Sequence, residues 1–214
     1  MQRRIEPELL DSLPAEDPSA QRSRRELRLI NAIMGNHRFL ANEVRRTIQP
    51  GWRLLELGAG DGALGARLVS RGICEARQLT GFDFAPRPAG WAAGAAWMQG
   101  DVFAEPWPEA EIVVVNLFLH HFEPYALAQL GRRLAANCRV LLACEPARRR
   151  LHLVQGAILS PLALLGRVTR HDMRISIRAG FLGDELQRAL GIDRWKCKSI
   201  TTLLGSHRLC AIRE

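Results

Sequence analysis

Short apolar runs alternate with segments of helical periodicity through the middle of the chain. The run 111–116 is β-branched and apolar on both faces, as a central strand of a parallel sheet should be. Shorter runs of the same kind predict strands at 53–57, 78–83, 95–98 and 139–146. Helical spacing or a helix-start signal follows most of these runs. The alternation predicts an α/β fold with a parallel sheet and right-handed crossovers.

The N-terminal part of the chain departs from this alternation. Residues up to about 22 are polar, and they predict a short helix at 7–10 followed by an extended connector. Ser23 and Glu26 have the spacing of a capping box, so we expect the next helix to begin there. Gly35 interrupts its apolar periodicity and predicts a division into two helices.

The C-terminal part is also irregular. Residues 151–168 are largely apolar, and a polar segment follows at 169–172. A helix is predicted at 183–190. Two closing strands are predicted at 195–204 and 207–212, because the Gly-Ser pair between them is a hairpin signal.

Three glycines at alternate positions follow the first predicted strand. Gly58, Gly60 and Gly62 stand between the strand, which contains Glu56, and a helical pattern that begins at position 63. Glycine permits positive φ and lets a ligand touch the main chain. Such a turn also occurs in dinucleotide-binding proteins, and alone it is weak evidence for either ligand.

The pattern Glu56-Leu-Gly-Ala-Gly-Asp-Gly62 resembles the first motif of class I S-adenosylmethionine-dependent methyltransferases. The resemblance extends over about residues 23–214. It implies a Rossmann-like, doubly wound sheet of seven strands, mostly parallel, with an antiparallel last strand and an N-terminal helical cap. It also implies two parts, a connector with cap helices at 1–48 and a catalytic domain at 49–214.

The resemblance assigns S-adenosylmethionine as the cofactor and indicates the positions that bind it. Asp83 lies 83 − 62 = 21 positions after Gly62, the separation at which an acid reaches the ribose hydroxyls. Asp101 would accept a hydrogen bond from the adenine amine, and Val102 would cover the ring. His37 faces either the cofactor carboxylate or solvent. The complete predicted set is Glu56, Gly58, Ala59, Gly60, Gly62, Asp83, Phe84, Asp101, Val102, Asn116 and Leu117.

Three histidines are candidates for the base that deprotonates a methyl acceptor. His120 and His121 follow the fourth strand, where ligands bind in open α/β sheets. A Leu-His-His sequence at this place also serves packing in the superfamily. His171 is flanked by an arginine and by Asp172, which either holds the imidazole tautomer or caps the next segment.

The methyl acceptor is predicted from absences and from one apolar segment. No Asn/Asp-Pro-Pro-Tyr tetrapeptide follows the fourth strand, which disfavours amino methylation of a base or glutamine. The apolar segment 151–165 forms either a substrate lid or a helix pair that only packs on the sheet. A lid favours a hydrophobic phenol, quinone or polyketide of secondary metabolism, methylated on oxygen, with carbon as the near alternative.

The charge of the chain leaves a second class of function open. The net charge is +8 among 214 residues, and the arginines form short clusters rather than a tail. This charge indicates an RNA-directed methyltransferase or RNA-binding protein as the alternative. A non-catalytic partner subunit is a third alternative, which does not depend on the charge. Aromatic residues make up only 6%, so platforms for base stacking are scarce and nucleic acid is the less favoured partner.

The five cysteines are scattered and form no Cys-x-x-Cys pair, which predicts a reduced, cytoplasmic protein without structural zinc. We predict no metal site. The N-terminus has no secretory signal pattern, and no apolar run is long enough to span a bilayer. The sequence does not predict the oligomeric state.

Overall fold

Seven strands form one twisted sheet in the computed structural model, which describes residues 1–14, 16–162 and 164–213. The strands are β1 (Leu54–Leu57), β2 (Leu79–Asp83), β3 (Ala96–Gln99), β4 (Ile112–Asn116), β5 (Val140–Pro146), β6 (Lys196–Thr201) and β7 (Ser206–Ile212). Their order is β3-β2-β1-β4-β5-β7-β6. β7 runs antiparallel to both β5 and β6, and the other strand pairs are parallel. The predicted fold class is confirmed.

Eight α-helices connect or flank the strands in the described part of the chain. They are α1 (Leu9–Ser12), α2 (Pro18–Met34), α3 (Asn36–Thr47), α4 (Ala63–Ser70), α5 (Pro124–Asn137), α6 (Arg150–Leu162), α7 (Arg167–Ala179) and α8 (Glu185–Leu190). A 3-10 helix, Leu119–His121, follows β4 directly. Within the described residues, no helix combines the length and the apolar character needed to cross a membrane.

The sheet carries a hydrophobic core on each face. On one face, α3 contributes Leu40 and Val44, which pack with Leu64 of α4 against β4 and β5. On the other face, α5 and α8 contribute Leu130 and Leu186. The cap helix α3 therefore belongs to the same core as the sheet. The division at residues 48 and 49 stays a prediction.

The start predicted for the second helix is wrong. Helix α2 begins at Pro18, and Asp17 caps it by accepting hydrogen bonds from the backbone N–H groups of Ser19 and Ala20. Proline suits the first helical position because its missing N–H is not needed there. Ser23 is buried within the helix and accepts a hydrogen bond from the Thr169 hydroxyl at 2.9 Å. Gly35 ends α2 in the left-handed conformation, as the break predicted.

The polar segment 169–172 lies inside a helix rather than between elements. It occupies the first turns of α7, and both Thr169 and Asp172 are buried there. Their partners belong to the N-terminal part of the chain, since Thr169 binds α2 and Asp172 binds the start of α1. These polar side chains therefore hold α7 against the cap.

Candidate active site

The glycine turn after β1 has a backbone that side chains would not allow. Gly58, Gly60 and Gly62 all have positive φ, between 55° and 72°. A Cβ atom on Gly58 would lie 2.5 Å from the ring of Phe118. Ala59, next to it, is buried and donates its backbone N–H to the Phe82 carbonyl at 3.3 Å. The turn therefore presents main chain at the carboxyl edge of the sheet.

Asp83 at the end of β2 binds this turn. Its Oδ2 accepts from the Gly60 N–H at 2.8 Å, and its Oδ1 accepts from the Ala85 N–H at 2.8 Å. The carboxylate is half-buried, and its free lone pairs remain available to hydroxyl donors. The neighbouring Phe84 is 80% exposed.

Asp101 and Val102 follow β3 in a tight turn. The Asp101 side chain is exposed, and its Oδ1 accepts from the Phe103 N–H at 2.8 Å. Val102 is buried, and its carbonyl accepts from the Trp107 indole at 2.9 Å. The polar and the apolar member of the pair thus have separate environments, one facing solvent and one packed on the core.

Asn116 ends β4 and connects the sheet to the cap. Its Nδ2 donates to Asn31 Oδ1 at 3.2 Å and lies 3.4 Å from His37 Nε2. The Oδ1 atom of Asn116 is buried and has no hydrogen-bond partner. Leu117 follows with a positive φ of 54°, and its N–H donates to the Cys144 carbonyl at 2.8 Å. A buried acceptor without a donor suits a bound ligand that supplies one.

The Glu56 side chain contacts helix α4. Its carboxyl group is buried and receives a hydrogen bond from the Gly65 N–H of α4. Burial, above all, raises the pKa of Glu56 to about 8, despite that hydrogen bond. Trp91 is buried here and was absent from the predicted site. It packs so closely that a Cβ on Gly65 would lie 2.3 Å from its ring.

His120 is enclosed between two carboxylates. Its Nδ1 lies 2.8 Å from Glu145 Oε2, and its Nε2 lies 3.5 Å from Glu8 Oε1. Burial lowers the pKa of the imidazole, but the hydrogen bonds to Glu145 and Glu8 outweigh it and raise the value to about 9. The two carboxylates therefore stabilise the protonated form of the ring.

His121 stands beside it with a partly exposed ring. The two ring centroids are 4.2 Å apart, and His121 Nδ1 lies 4.0 Å from Asp11 Oδ2. Burial and then the positive His120 lower the pKa of His121, although Glu8 and Asp11 act in the opposite direction.

His171 lies on α7, where Asp172 contacts the imidazole but caps α1 rather than the segment that follows it. Asp172 accepts from the Leu9 and Leu10 N–H groups at 2.8 and 3.0 Å, and so caps α1. Its Oδ1 also lies 3.0 Å from His171 Nδ1. The aspartate thus holds both the N-terminal segment and the imidazole.

Glu145 and Glu8 were missing from the sequence prediction. Glu145 follows the apolar part of β5, and its fully buried carboxylate accepts from the N–H groups of Phe118, Leu119 and His120. An acid at a strand end was the available signal, as it was for Asp83. Glu8 had no signal, because it belongs to a short polar segment that the fold brings to His120.

Comparison with known proteins gave matches in structure alone. No family model matches the chain, and no curated protein matches it. The chain is similar to the plantazolicin methyltransferase BamL, whose structure holds a triazolic desmethylPZN analogue and SAH. The identity is 12%, the match covers 96% of this chain and 93% of BamL, and the TM-score is 0.71.

Two larger proteins match with lower scores. Human N-acetylserotonin methyltransferase, in complex with SAM, has 18% identity and a TM-score of 0.54, and the match covers 95% of this chain but 61% of that one. The pyocyanin biosynthetic protein PhzM has 16% identity and a TM-score of 0.59, with coverage of 93% and 60%. The chain thus spans about three fifths of these two proteins. The strand order and the matches together show that this chain has the fold of class I S-adenosylmethionine-dependent methyltransferases.

Proposed function

We propose that the protein is a methyltransferase that uses S-adenosylmethionine and methylates a small hydrophobic molecule. One observation carries the proposal, the Asp83 carboxylate bound to the Gly60 N–H of the glycine turn. The acid at the end of β2 and the glycine turn after β1 thereby form one surface at the carboxyl edge of these two strands. Open α/β sheets bind ligands at this edge.

The residues around this surface fit the cofactor. The positive-φ glycines leave main chain accessible, Asp83 offers lone pairs to ribose hydroxyls, and Asp101 is exposed for the adenine amine. The buried Oδ1 of Asn116 needs a donor, and the cofactor's amino group is one. When bound, S-adenosylmethionine supplies a methyl group on a sulfonium ion. Glu56 contacts α4, the helix that follows the glycine turn.

We propose that residues 1–48 act as the cap over this surface. Asn31 and His37 reach Asn116 from above, and Arg28 of α2 pairs with Asp61 of the glycine turn at 3.0 Å. The pair is solvent-exposed, so it contributes little to holding the cap in place.

The acceptor that we propose is a phenol or related hydrophobic ring. Helix α6 exposes Leu151, Val154 and Ile158, each close to half or more, as a lid that binds an apolar molecule would. The predicted lid also included Leu159 and Leu162, whose side chains lie outside the described residues. The BamL complex with a substrate analogue is a precedent for a small-molecule acceptor in a chain of this size.

We propose His171 as the leading base. With Nδ1 held by Asp172, the ring keeps Nε2 as the nitrogen that accepts a proton. His120 is buried between Glu145 and Glu8, an arrangement that positions the loop after β4 rather than meeting an acceptor. His121 remains a predicted base.

Calorimetry with S-adenosylhomocysteine tests the cofactor site. Asp83→Ala should weaken binding by about 1–3 kcal/mol, because the ribose hydroxyls lose their charged acceptor. Asp193→Ala removes an exposed aspartate after α8 and should leave the affinity unchanged. Equal affinity of both variants would reject the assignment of Asp83.

Turnover on a panel of phenols tests the base. His171→Ala should lower turnover by about 10²–10⁴ while the affinity for S-adenosylhomocysteine stays constant, and activity should return at high pH as the phenolate forms. His120→Ala and His121→Ala are measured in parallel. Full activity in all three variants would mean that catalysis rests on alignment alone, and cofactor binding without any turnover would indicate a non-catalytic subunit.

A further inference from the structure

Two histidines and a glutamate from distant parts of the chain converge beside the loop after β4. Atoms of Glu8, His120 and His121 that can bind a metal all lie within 4.8 Å of one another. We propose that these three side chains bind a divalent first-row transition-metal ion, of which Zn²⁺ is the representative. Methyl transfer does not require such a site, and the sequence had predicted none.

The spacing of the ligand atoms fits a coordinated metal ion. His120 Nε2 and Glu8 Oε1 lie 3.5 Å apart. A charge-assisted hydrogen bond closes to about 2.7–2.9 Å. Two ligands about 2.0–2.2 Å from a tetrahedral ion lie about 3.3–3.5 Å from each other. The gap between the imidazole and the carboxylate therefore matches the distance across one coordinated ion, which would displace the proton from His120 Nε2.

A second carboxylate orients the buried imidazole. Glu145 Oε2 lies 2.8 Å from His120 Nδ1, which leaves Nε2 directed at Glu8. Three backbone N–H groups hold the same carboxylate in place. Histidines that bind metals nearly always donate their other N–H to a carboxylate or carbonyl in this way. The site thus has an outer shell as well as ligands.

The remaining coordination position is open to solvent. His121 is partly exposed, and Asp11 Oδ2 lies 4.0 Å from its Nδ1 on a side chain that is 66% exposed. Asp11 or water can complete the coordination, and ions can enter from this side. Two imidazoles with carboxylates suit Zn²⁺ and neighbouring transition ions rather than Ca²⁺ or Mg²⁺.

The proposed ion would join the N-terminal segment to the sheet. Glu8 precedes α1, whereas both histidines belong to the 3-10 helix after β4. A shared ion would therefore fix the segment that Asp172 also holds. With His121 bound to metal, His171 is the predicted base that stays free to meet an acceptor.

Cobalt titration of tag-free, metal-stripped protein tests the site. One Co²⁺ per chain should bind with micromolar or tighter affinity and show the visible absorption of a tetrahedral ion, and Zn²⁺ should displace it and raise the melting temperature. His121→Ala and Glu8→Gln should each weaken binding at least about tenfold. Neither change creates a large cavity, and circular dichroism shows whether each variant is folded.

The matched control is His37→Asn, which removes a mostly buried histidine from the Asn116 cluster and should leave cobalt binding unchanged. Absence of binding by the stripped wild-type protein would overturn the proposal, as would equal binding by folded His121→Ala. Either result would leave an ion-pair network around His120. The readout needs no methyl acceptor, so it is independent of the outcome for the proposed activity.

Discussion

At the scale of single residues, Glu56 is a carboxyl group that the fold separates from water. It has one backbone donor, Gly65 N–H, and its Oε2 has no hydrogen-bond partner. Its pKa rises from 4.5 to about 8 because burial penalises the carboxylate. Between these two values the folded protein holds a proton that the unfolded chain has released, so stability must fall as pH rises.

The pH dependence of stability therefore has a predicted sign. In the cofactor-free protein, the contribution of the neutral Glu56 is complete below pH 4.5 and is lost as pH rises through about 8. At about 1.4 kcal/mol per pKa unit, the free energy of unfolding should fall by several kcal/mol across this range relative to Glu56→Gln. Urea unfolding at several pH values measures the difference. Parallel curves for the two proteins would contradict it.

Local sequence signals located the residues at strand ends but not the partners that arrive from elsewhere. The glycine turn and Asp83 follow apolar runs, so their common edge could be predicted from the order of strands alone. Glu145 stands 25 positions from His120, and Glu8 belongs to a segment before the first long helix. Their contact with the imidazole depends on how α1 and the loop after β4 pack, which no local pattern encodes.

At the scale of elements, α5 and α8 approach each other more closely than ordinary side chains permit. A Cβ on Gly131 of α5 would lie 1.6 Å from the Leu190 carbonyl oxygen at the end of α8. In an isolated helix, alanine is more favourable than glycine by about 1 kcal/mol. At position 131 the contact with α8 favours glycine over alanine instead. The backbone of α8 cannot move away without disturbing the core that it covers.

Gly131→Ala should therefore destabilise the protein by about 1–3 kcal/mol or more. The matched change is Gly90→Ala, since a Cβ at Gly90 would meet nothing within 4 Å. That control should change stability by less than about 0.5 kcal/mol. Chemical unfolding measures both. A stabilised Gly131→Ala protein would mean that helix propensity outweighs the contact.

The elements that sequence predicted well are those with apolar periodicity. The β-branched run was sufficient to predict β4, and the hairpin glycine was sufficient to predict β7. Helix α7 was missed because its buried face carries Thr169 and Asp172, which are satisfied by hydrogen bonds to α2 and α1. From sequence alone, such polar residues on a buried helix face resemble those of an exposed loop, because the groups that accept or donate their hydrogen bonds lie far away in the chain.

At the scale of the whole molecule, the first residues of the chain form part of the folded unit. Arg3 donates from Nε to the Ala179 carbonyl at 2.7 Å, and from Nη2 to the carbonyls of His120 and Phe122 at 3.1 and 3.0 Å. Its guanidinium also stacks 4.6 Å from the ring centroid of Phe181. One side chain thus joins the N-terminus, the loop after β4 and the end of α7.

Arg3 and Arg4 are adjacent and carry the same charge, so replacing each in turn separates the effect of the Arg3 hydrogen bonds from the effect of losing a positive charge. Arg3→Ala should destabilise the protein by about 2–3 kcal/mol, because three backbone carbonyls lose a charged donor. Arg4→Ala removes only an exposed ion pair with Glu6 and should cost less than about 1 kcal/mol. Hydrogen exchange should also accelerate at the Leu9 and Leu10 amides in Arg3→Ala alone, since loosening the segment weakens their bonds to Asp172. Equal free energies of unfolding and equal exchange rates in the two variants would mean that the Arg3 contacts do not hold the N-terminal segment in the folded unit.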